Sequence, residues 1–356
     1  MPRIRVLVVE DSVTVRKRLV EALAADSEIE LVGEAQDGKQ AIELCRRHRP
    51  DLITMDMMMP VMTGLAATEF IMAHQPTPIL IVSASINRGE LFKIYDALAA
   101  GAVDVLEKPT GEEFDGVWEQ RLLSAVKIVA KIKVITHPRA RLASCRKFSD
   151  TLSSRPSAQR PDQVFDVVAI GASTGGPGAI VEVLRKLPAR FQVPILIVLH
   201  MNEPFGSAFT DWLDAQIERR VINPENGASV ASAKGCVVVA PCGRHLIVRN
   251  GRMFLTLDEE RHSCRPSVDV LFESIAADYG ACAAACLLTG MGKDGALGLL
   301  KIRNCGGIAI AQDEASSVVY GMPREAMNLG AATHVLPLGD IGPRLAVLQG
   351  VGMEPT

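Results

Sequence analysis

Five side chains early in the chain stand just past short apolar runs. Glu10 and Asp11 follow RVLVV, Asp56 follows LITM, Ser83 follows ILIV, and Lys108 follows DVLE. If these runs are neighbouring parallel strands, their carboxyl ends meet at one sheet edge, where open α/β sheets bind ligands. Clustered carboxylates repel unless a cation sits among them, and a small all-oxygen site suits Mg²⁺. A metal held by Glu10, Asp11 and Asp56, a carboxylate nucleophile and the ammonium of Lys108 are what phosphoryl transfer to an aspartate requires. Singly, each residue reads as a surface group or a cap, as Asp11-Ser12 does at a helix start. All five at strand ends point to one shared site.

A second constellation follows the strand VFDVVAIG. The run Gly171-Ala172-Ser173-Thr174-Gly175-Gly176-Pro177-Gly178 leads into a helical pattern. Its glycines miss G-x-G-x-x-G, the next strand (VPILIVLH) ends in His200 rather than an acid, and no Gly-Lys-Ser/Thr follows. A dinucleotide loop and a P-loop are therefore disfavoured. Residues 171–175 satisfy G-x-S-x-G, the pattern of a nucleophile elbow. An α/β-hydrolase would order its triad Ser, acid, His. That leaves His245, His262 or His334 as base and puts the elbow on the domain's first strand, which tells against that fold. A third arrangement takes His200 as the base. Strands about 4.8 Å apart bring side chains at their carboxyl ends within hydrogen-bonding reach. Asp294, in the Gly-rich turn LLTGMGKDG, would orient the imidazole. Alone, His200 reads as a packing residue and Asp294 as a turn residue; the three strand-to-turn placements together favour Ser173, His200, Asp294.

The elements that must position these groups follow from hydrophobic pattern. Short β-branched runs at 5–9, 29–33, 52–55, 79–82 and 103–106 alternate with amphipathic stretches at 13–24, 39–47, 64–73 and 89–99. Such runs are strands buried on both faces. The fold class is α/β throughout: an N-terminal doubly wound five-stranded parallel domain, a linker, and a C-terminal doubly wound α/β domain with a mostly parallel sheet. The expected bounds are 1–125, 126–163 and 164–350. In the second domain CVVVAP and HLIVRN read as a strand pair around a turn, and ACLLTG, GGIAIAQ and HVLPL as later strands. Residues 136–163 are rich in Pro, Ser and Arg, and Lys127–Arg160 holds nine Lys/Arg against Asp150 alone. That run reads as solvated linker or as a dock for an acidic partner.

Composition bounds the function. With 356 residues, 38 Lys/Arg against 41 Asp/Glu and a net charge of −3, the chain lacks the basic excess of a general nucleic-acid binder. No apolar stretch approaches the about 18 residues of a membrane span, and the opening MPRIRVLVVEDS lacks a signal peptide's apolar core. None of the eight cysteines forms Cys-x-x-Cys or completes a zinc pattern with histidine. They read as reduced thiols, so a cytoplasmic location is expected.

Across residues 3–109, VLVVEDS, DLITMDMMMPVMTG, ILIVSAS and GAVDVLEKP resemble the receiver domain of bacterial response regulators. The resemblance implies that Asp56 accepts phosphate from a sensor histidine kinase, that Glu10, Asp11 and Asp56 hold Mg²⁺, and that Ser83 and Lys108 sense the phosphoryl group. Val105 stands where many members carry Phe or Tyr. In the second half GASTGG, LHM, RPSVDVLFESIA, TGMGKDGALGL and AQDEASSVVYGMP resemble the chemotaxis-type protein-glutamate methylesterases, the CheB family; HMNEPF replaces the commoner His-Met-Pro. By that resemblance Ser173, His200 and Asp294 form the triad, with no cofactor in the esterase site. Its substrates would be glutamyl methyl esters, and in some members glutamines, on methylated chemoreceptors. The backbone N–H groups of Thr174 and Met291, each on a Gly-rich turn beside a triad member, are the expected oxyanion donors. The unphosphorylated receiver is expected to cover the Ser173 turn. A contact-signalling protein with an inactive esterase fold and a DNA-binding response regulator are the competing classes. No helix-turn-helix segment supports the latter.

Overall fold

The computed structural model describes residues 3–84, 88–109, 116–132, 134, 165–201 and 205–351. The segment 136–163, expected as linker, and Asn202–Pro204, where the loop after His200 departs from the family pattern, lie outside the described residues. The chain divides into two compact units, Met1–Ala143 and Ser144–Thr356.

In the first unit β1 (Ile4–Val9), β2 (Ile29–Ala35), β3 (Leu52–Met55), β4 (Ile79–Ser83) and β5 (Asp104–Glu107) form a sheet in the order β2-β1-β3-β4-β5. Every pairing is parallel, as the alternating pattern requires. β3 and β4 are buried along their whole length because α1 (Val13–Ala24), α2 (Gly38–His48), α3 (Gly64–His74), α4 (Arg88–Ala99) and α5 (Val117–Val129) cover the sheet. Ser12, rather than Asp11, caps α1, accepting from the Val15 N–H. That leaves the Asp11 carboxylate for the acid cluster. The expected boundary at 125 falls inside α5: the helix continues to Val129, with Val126 and Val129 buried. Its apolar face is part of this unit's core, and Lys127 pairs with Asp26 (2.8 Å) and Glu28 (2.6 Å).

The second unit is built on β6 (Val167–Ala172), β7 (Ile195–Leu199), β8 (Val221–Ile222), β9 (Val237–Val239), β12 (Ala283–Leu287), β13 (Ile308–Gln312) and β14 (His334–Leu336). They form one sheet in the order β14-β13-β12-β6-β7-β9-β8, with parallel register at every pairing. Helices α6 (Gly176–Arg185), α7 (Phe205–Gln216), α8 (Val268–Tyr279), α9 (Ala296–Asn304), α10 (Met322–Asn328) and α11 (Leu338–Leu348) follow strands of this sheet or the hairpin. One expected pairing is corrected. CVVVAP supplies β9, which pairs with β7 and β8. HLIVRN supplies β10 (His245–Arg249), which pairs antiparallel with β11 (Arg252–Thr256). The two-residue turn between them is Asn250-Gly251, with φ of 52° and 68°, the left-handed pair that a tight hairpin demands. Among the described residues no helix is long and apolar enough to cross a membrane. Cys45, Cys236, Cys242, Cys264, Cys282, Cys286 and Cys305 are free thiols.

Candidate active site

At the carboxyl edge of the first sheet, Glu10 and Asp56 are buried and Asp11 is exposed. One carboxylate oxygen from each of the three lies within 4.8 Å of the others. Lys108 reaches across from the end of β5, with its ammonium 2.9–3.0 Å from both Glu10 oxygens and 3.0 Å from Asp56 Oδ1. Its backbone N–H donates to the carbonyl of Ser83, itself buried. Burial, and then the Asp56 carboxylate, push the Glu10 carboxyl up to about 7. Burial likewise raises Asp56 despite the opposing pull of Lys108. An acid pair held out of water with one ammonium between them is short of positive charge. A hard divalent cation on Glu10, Asp11 and Asp56 would supply it, so these residues fit Mg²⁺. Gly64 lets the chain pass here, since a Cβ would lie 2.0 Å from the Asp56 carbonyl oxygen.

In the second sheet three adjacent strands, β12, β6 and β7, deliver the other constellation. Ser173 and His200 each lie one residue beyond their strands, and Ala172 pairs with Leu199 in the register. The ladder continues into the turns: the His200 N–H donates to the Ala172 carbonyl and the Ser173 N–H to the Thr289 carbonyl, both at 3.0 Å. His200 Nε2 donates to Asp294 Oδ2 at 2.8 Å. Asp294 is fixed by the start of α8. Its Oδ1 accepts from the Ser267 hydroxyl (2.7 Å) and the Asp269 N–H (3.0 Å), and its Oδ2 from the Val268 N–H (2.7 Å). The carboxylate thus sits on a helix N-terminus, a natural anion site. Burial alone would raise its pKa. The His200 hydrogen bond and charge, the Ser267 hydroxyl and the Asp269 N–H outweigh that and hold it below the usual range. Asp294 is therefore an anion that orients the ring, leaving Nδ1 as the nitrogen not taken up by Asp294.

The two Gly-rich turns are tied together. The Thr289 hydroxyl donates to the Thr174 carbonyl at 2.9 Å and accepts from the Val319 N–H at 2.9 Å. Gly290 passes so close that a Cβ would lie 2.8 Å from Ser173 Cβ. Among the described residues neither the Thr174 nor the Met291 N–H donates to a protein acceptor, which leaves both for a ligand.

Several groups around His200 escaped the sequence reading. Ser267 was visible only as a polar residue before an apolar helical run, the signature of a cap. The His262–Asp269 pair (Nε2 to Oδ2, 3.1 Å) stands behind Asp294. Cys264 has its Sγ within 4.8 Å of the His200 nitrogen and an Asp294 oxygen. His262 and Cys264 come from the loop before α8 and Asp269 from its first turn, and their approach to Asp294 and His200 is purely tertiary.

Residues 168–345 match the family model described as CheB methylesterase, and residues 6–114 that of the response regulator receiver domain. The "Protein-glutamate methylesterase/protein-glutamine glutaminase 1" of Syntrophus aciditrophicus is 42% identical over 354 residues, covering 98% of this chain and 99% of the relative. A protein of the same activity name from Nitrosospira multiformis is 43% identical over 351 residues, 97% of each chain. Among solved structures, the Thermotoga maritima CheB methylesterase catalytic domain is 37% identical with a TM-score of 0.49, covering 52% of this chain and 98% of that one.

Proposed function

Because this chain belongs to the CheB methylesterase family, with a response-regulator receiver domain ahead of the catalytic unit, we propose that it is a phosphorylation-regulated serine esterase. It hydrolyses glutamyl methyl esters, and deamidates glutamines, on the cytoplasmic helices of methylated chemoreceptors. The observation that carries this reading is the His200–Asp294 hydrogen bond of 2.8 Å, formed beside the Ser173 turn by residues at the ends of adjacent or next-adjacent strands.

A serine hydroxyl is a poor nucleophile until a base takes its proton. His200 Nδ1 accepts the proton of Ser173 Oγ as the oxygen attacks the ester carbonyl. The Thr174 and Met291 N–H groups receive the developing oxyanion, where losing one donor typically costs about 10²–10³ in turnover. His200 then protonates the departing methoxide, releasing methanol, or the amide nitrogen of a glutamine, releasing ammonia. Water, activated by the same imidazole, cleaves the acyl-enzyme. Asp294 keeps Nε2 protonated and stabilises the imidazolium; isosteric loss of the equivalent acid costs ~10⁴ in a serine protease.

In the receiver unit, Asp56 accepts a phosphoryl group from a sensor histidine kinase. Glu10, Asp11 and Asp56 would hold Mg²⁺, which would supply charge neutralisation for that transfer. Lys108, beside Asp56, and Ser83 would contact the added phosphoryl oxygens.

Ser173→Ala should abolish methanol release from methylated receptor membranes while Asp56 still takes phosphate from a small-molecule phosphodonor. Retained turnover in that variant would remove Ser173 as nucleophile.

A further inference from the structure

Among the described residues Cys264 is the one thiol beside the triad in a cluster of metal-ligating atoms, and the catalytic cycle above leaves it without a task. A ring nitrogen of His200, the Cys264 sulfur and an oxygen of Asp294 all lie within 4.8 Å of one another. They come from three separate segments: the end of β7, the loop before α8, and the turn after β12. Imidazole, thiolate and carboxylate are the donors that select zinc-like cations over Mg²⁺. Three protein ligands with a fourth position open to solvent is the usual arrangement of an accessible zinc site. Zn–N, Zn–O and Zn–S bonds of about 2.0–2.3 Å in a tetrahedron need ligand atoms roughly 3.3–3.7 Å apart. His200 Nε2 and Asp294 Oδ2, at 2.8 Å, would open by about half an ångström for this geometry, with Cys264 moving inward. Asp294 is already oriented by Ser267 and by the Val268 and Asp269 N–H groups. These are the outer-shell partners that hold a ligating carboxylate in place. The His200 side chain is 13% exposed and Cys264 is half-buried, so a cation reaches them from solvent.

We propose that His200, Cys264 and Asp294 form an inhibitory site for a thiophilic divalent cation, Zn²⁺. This rests on His200 being the base for Ser173. Zinc takes the Nε2 lone pair that becomes available when the Nε2 proton shifts to Nδ1, and the Cys264 thiol releases its proton to solvent. With its remaining proton on Nδ1, the zinc-bound imidazole has no lone pair for the Ser173 hydroxyl.

The test uses the full-length chain, stripped with a chelator, with Mg²⁺ in excess throughout to occupy the all-oxygen receiver cluster. Zn²⁺ binding is read by competition with a chromophoric chelator, and Co²⁺ substitution by its thiolate charge-transfer absorption. Methanol release is followed in parallel, each variant against its own metal-free rate. Wild type should bind one Zn²⁺ and lose turnover, restored by chelator. Cys264→Ser and Cys264→Ala should bind at least tenfold more weakly, since even an outer-shell partner is worth about 10–100-fold, and should lose the thiolate band. Cys305→Ser, an exposed thiol elsewhere, should behave as wild type. Ser173→Ala should still bind zinc, so the site is scored without turnover and a failed nucleophile assignment remains distinguishable. Wild type binding no zinc beyond the receiver cluster would overturn the proposal. So would Cys264 variants that bind and respond as wild type does.

Discussion

With His200 as the proposed base, its protonation sets the working pH of the site. Burial disfavours the imidazolium. The hydrogen bond to Asp294, the adjoining Cys264 sulfur and the Asp294 charge more than offset it and push the ring up to about 9. A general base works only when neutral, so the sign is fixed: raising its pKa depletes the active form at neutral pH. kcat/KM should therefore climb about tenfold per pH unit on the acid side and level off near the raised value. The ordinary imidazole limb of 6.5 should be absent. Asp294→Asn removes the charge that holds the proton. It should move the limb down toward the ordinary value while lowering the plateau by several powers of ten, roughly the ~10⁴ seen for the same change in a serine protease. A pH profile of ester hydrolysis for both proteins checks this, and a wild-type limb at the ordinary value would disprove the strong His200–Asp294 coupling. Folding stability shifts in the opposite direction. Because His200 binds its proton more tightly when folded, that contribution is full below pH 6.5 and is lost as pH rises through about 9.

Asp294 works only because α8 begins where it does, and Gly171 allows that. A Cβ on Gly171 would lie 2.2 Å from Val268 Cγ1, so Gly171→Ala must push the first turn of α8 away from β6. The expected cost is about 1–3 kcal/mol of stability, typical of an overpacked core, with a separate fall in kcat as the N–H groups under Asp294 shift. Adding Val268→Ala should recover much of both, a coupling that denaturation midpoints and turnover measure in a double-mutant cycle. The strand-end residues Ser173 and His200 were readable beforehand because a buried parallel strand is a continuous apolar run with a sharp end. Asp294 was readable as a turn residue. Its anchors were not, because two are backbone N–H groups 25 and 26 residues upstream and only the folded chain brings them near. The β9–β10 misassignment has a local cause. Both segments are apolar and lie a few residues apart, whereas the Asn250-Gly251 signal sits one element later, where β11 is less uniformly apolar. The end of α5 has a similar cause: the basic run reads as linker, although Val126 and Val129 keep the helical spacing of a buried face.

Asp56 and Ser173 belong to different compact units, so regulation of one by the other is a coupling free energy carried through the whole chain. In the proposed regulation the receiver's share of that coupling starts at Lys108, whose ammonium bridges Glu10 and Asp56. A phosphoryl group on Asp56 brings about two negative charges and new acceptor oxygens into that cluster, and Lys108 must redistribute its contacts. Val105 on β5 offers no aromatic ring; the backbone bond from Lys108 N to the Ser83 carbonyl joins the ends of β4 and β5 beside the cluster and is the route the following variants test. The same phosphodonor should therefore raise methanol release in wild type when Mg²⁺ is present, and chelation should abolish the rise. A tenfold stimulation would correspond to about 1.4 kcal/mol of coupling. Asp56→Asn should still turn over ester but give the same rate with and without donor. Lys108→Ala should accept phosphate while transmitting less of it. If Asp56→Asn still responds to the donor, phosphate acts elsewhere on the chain. If Lys108→Ala responds as fully as wild type, the signal leaves the acid cluster by a route other than β5.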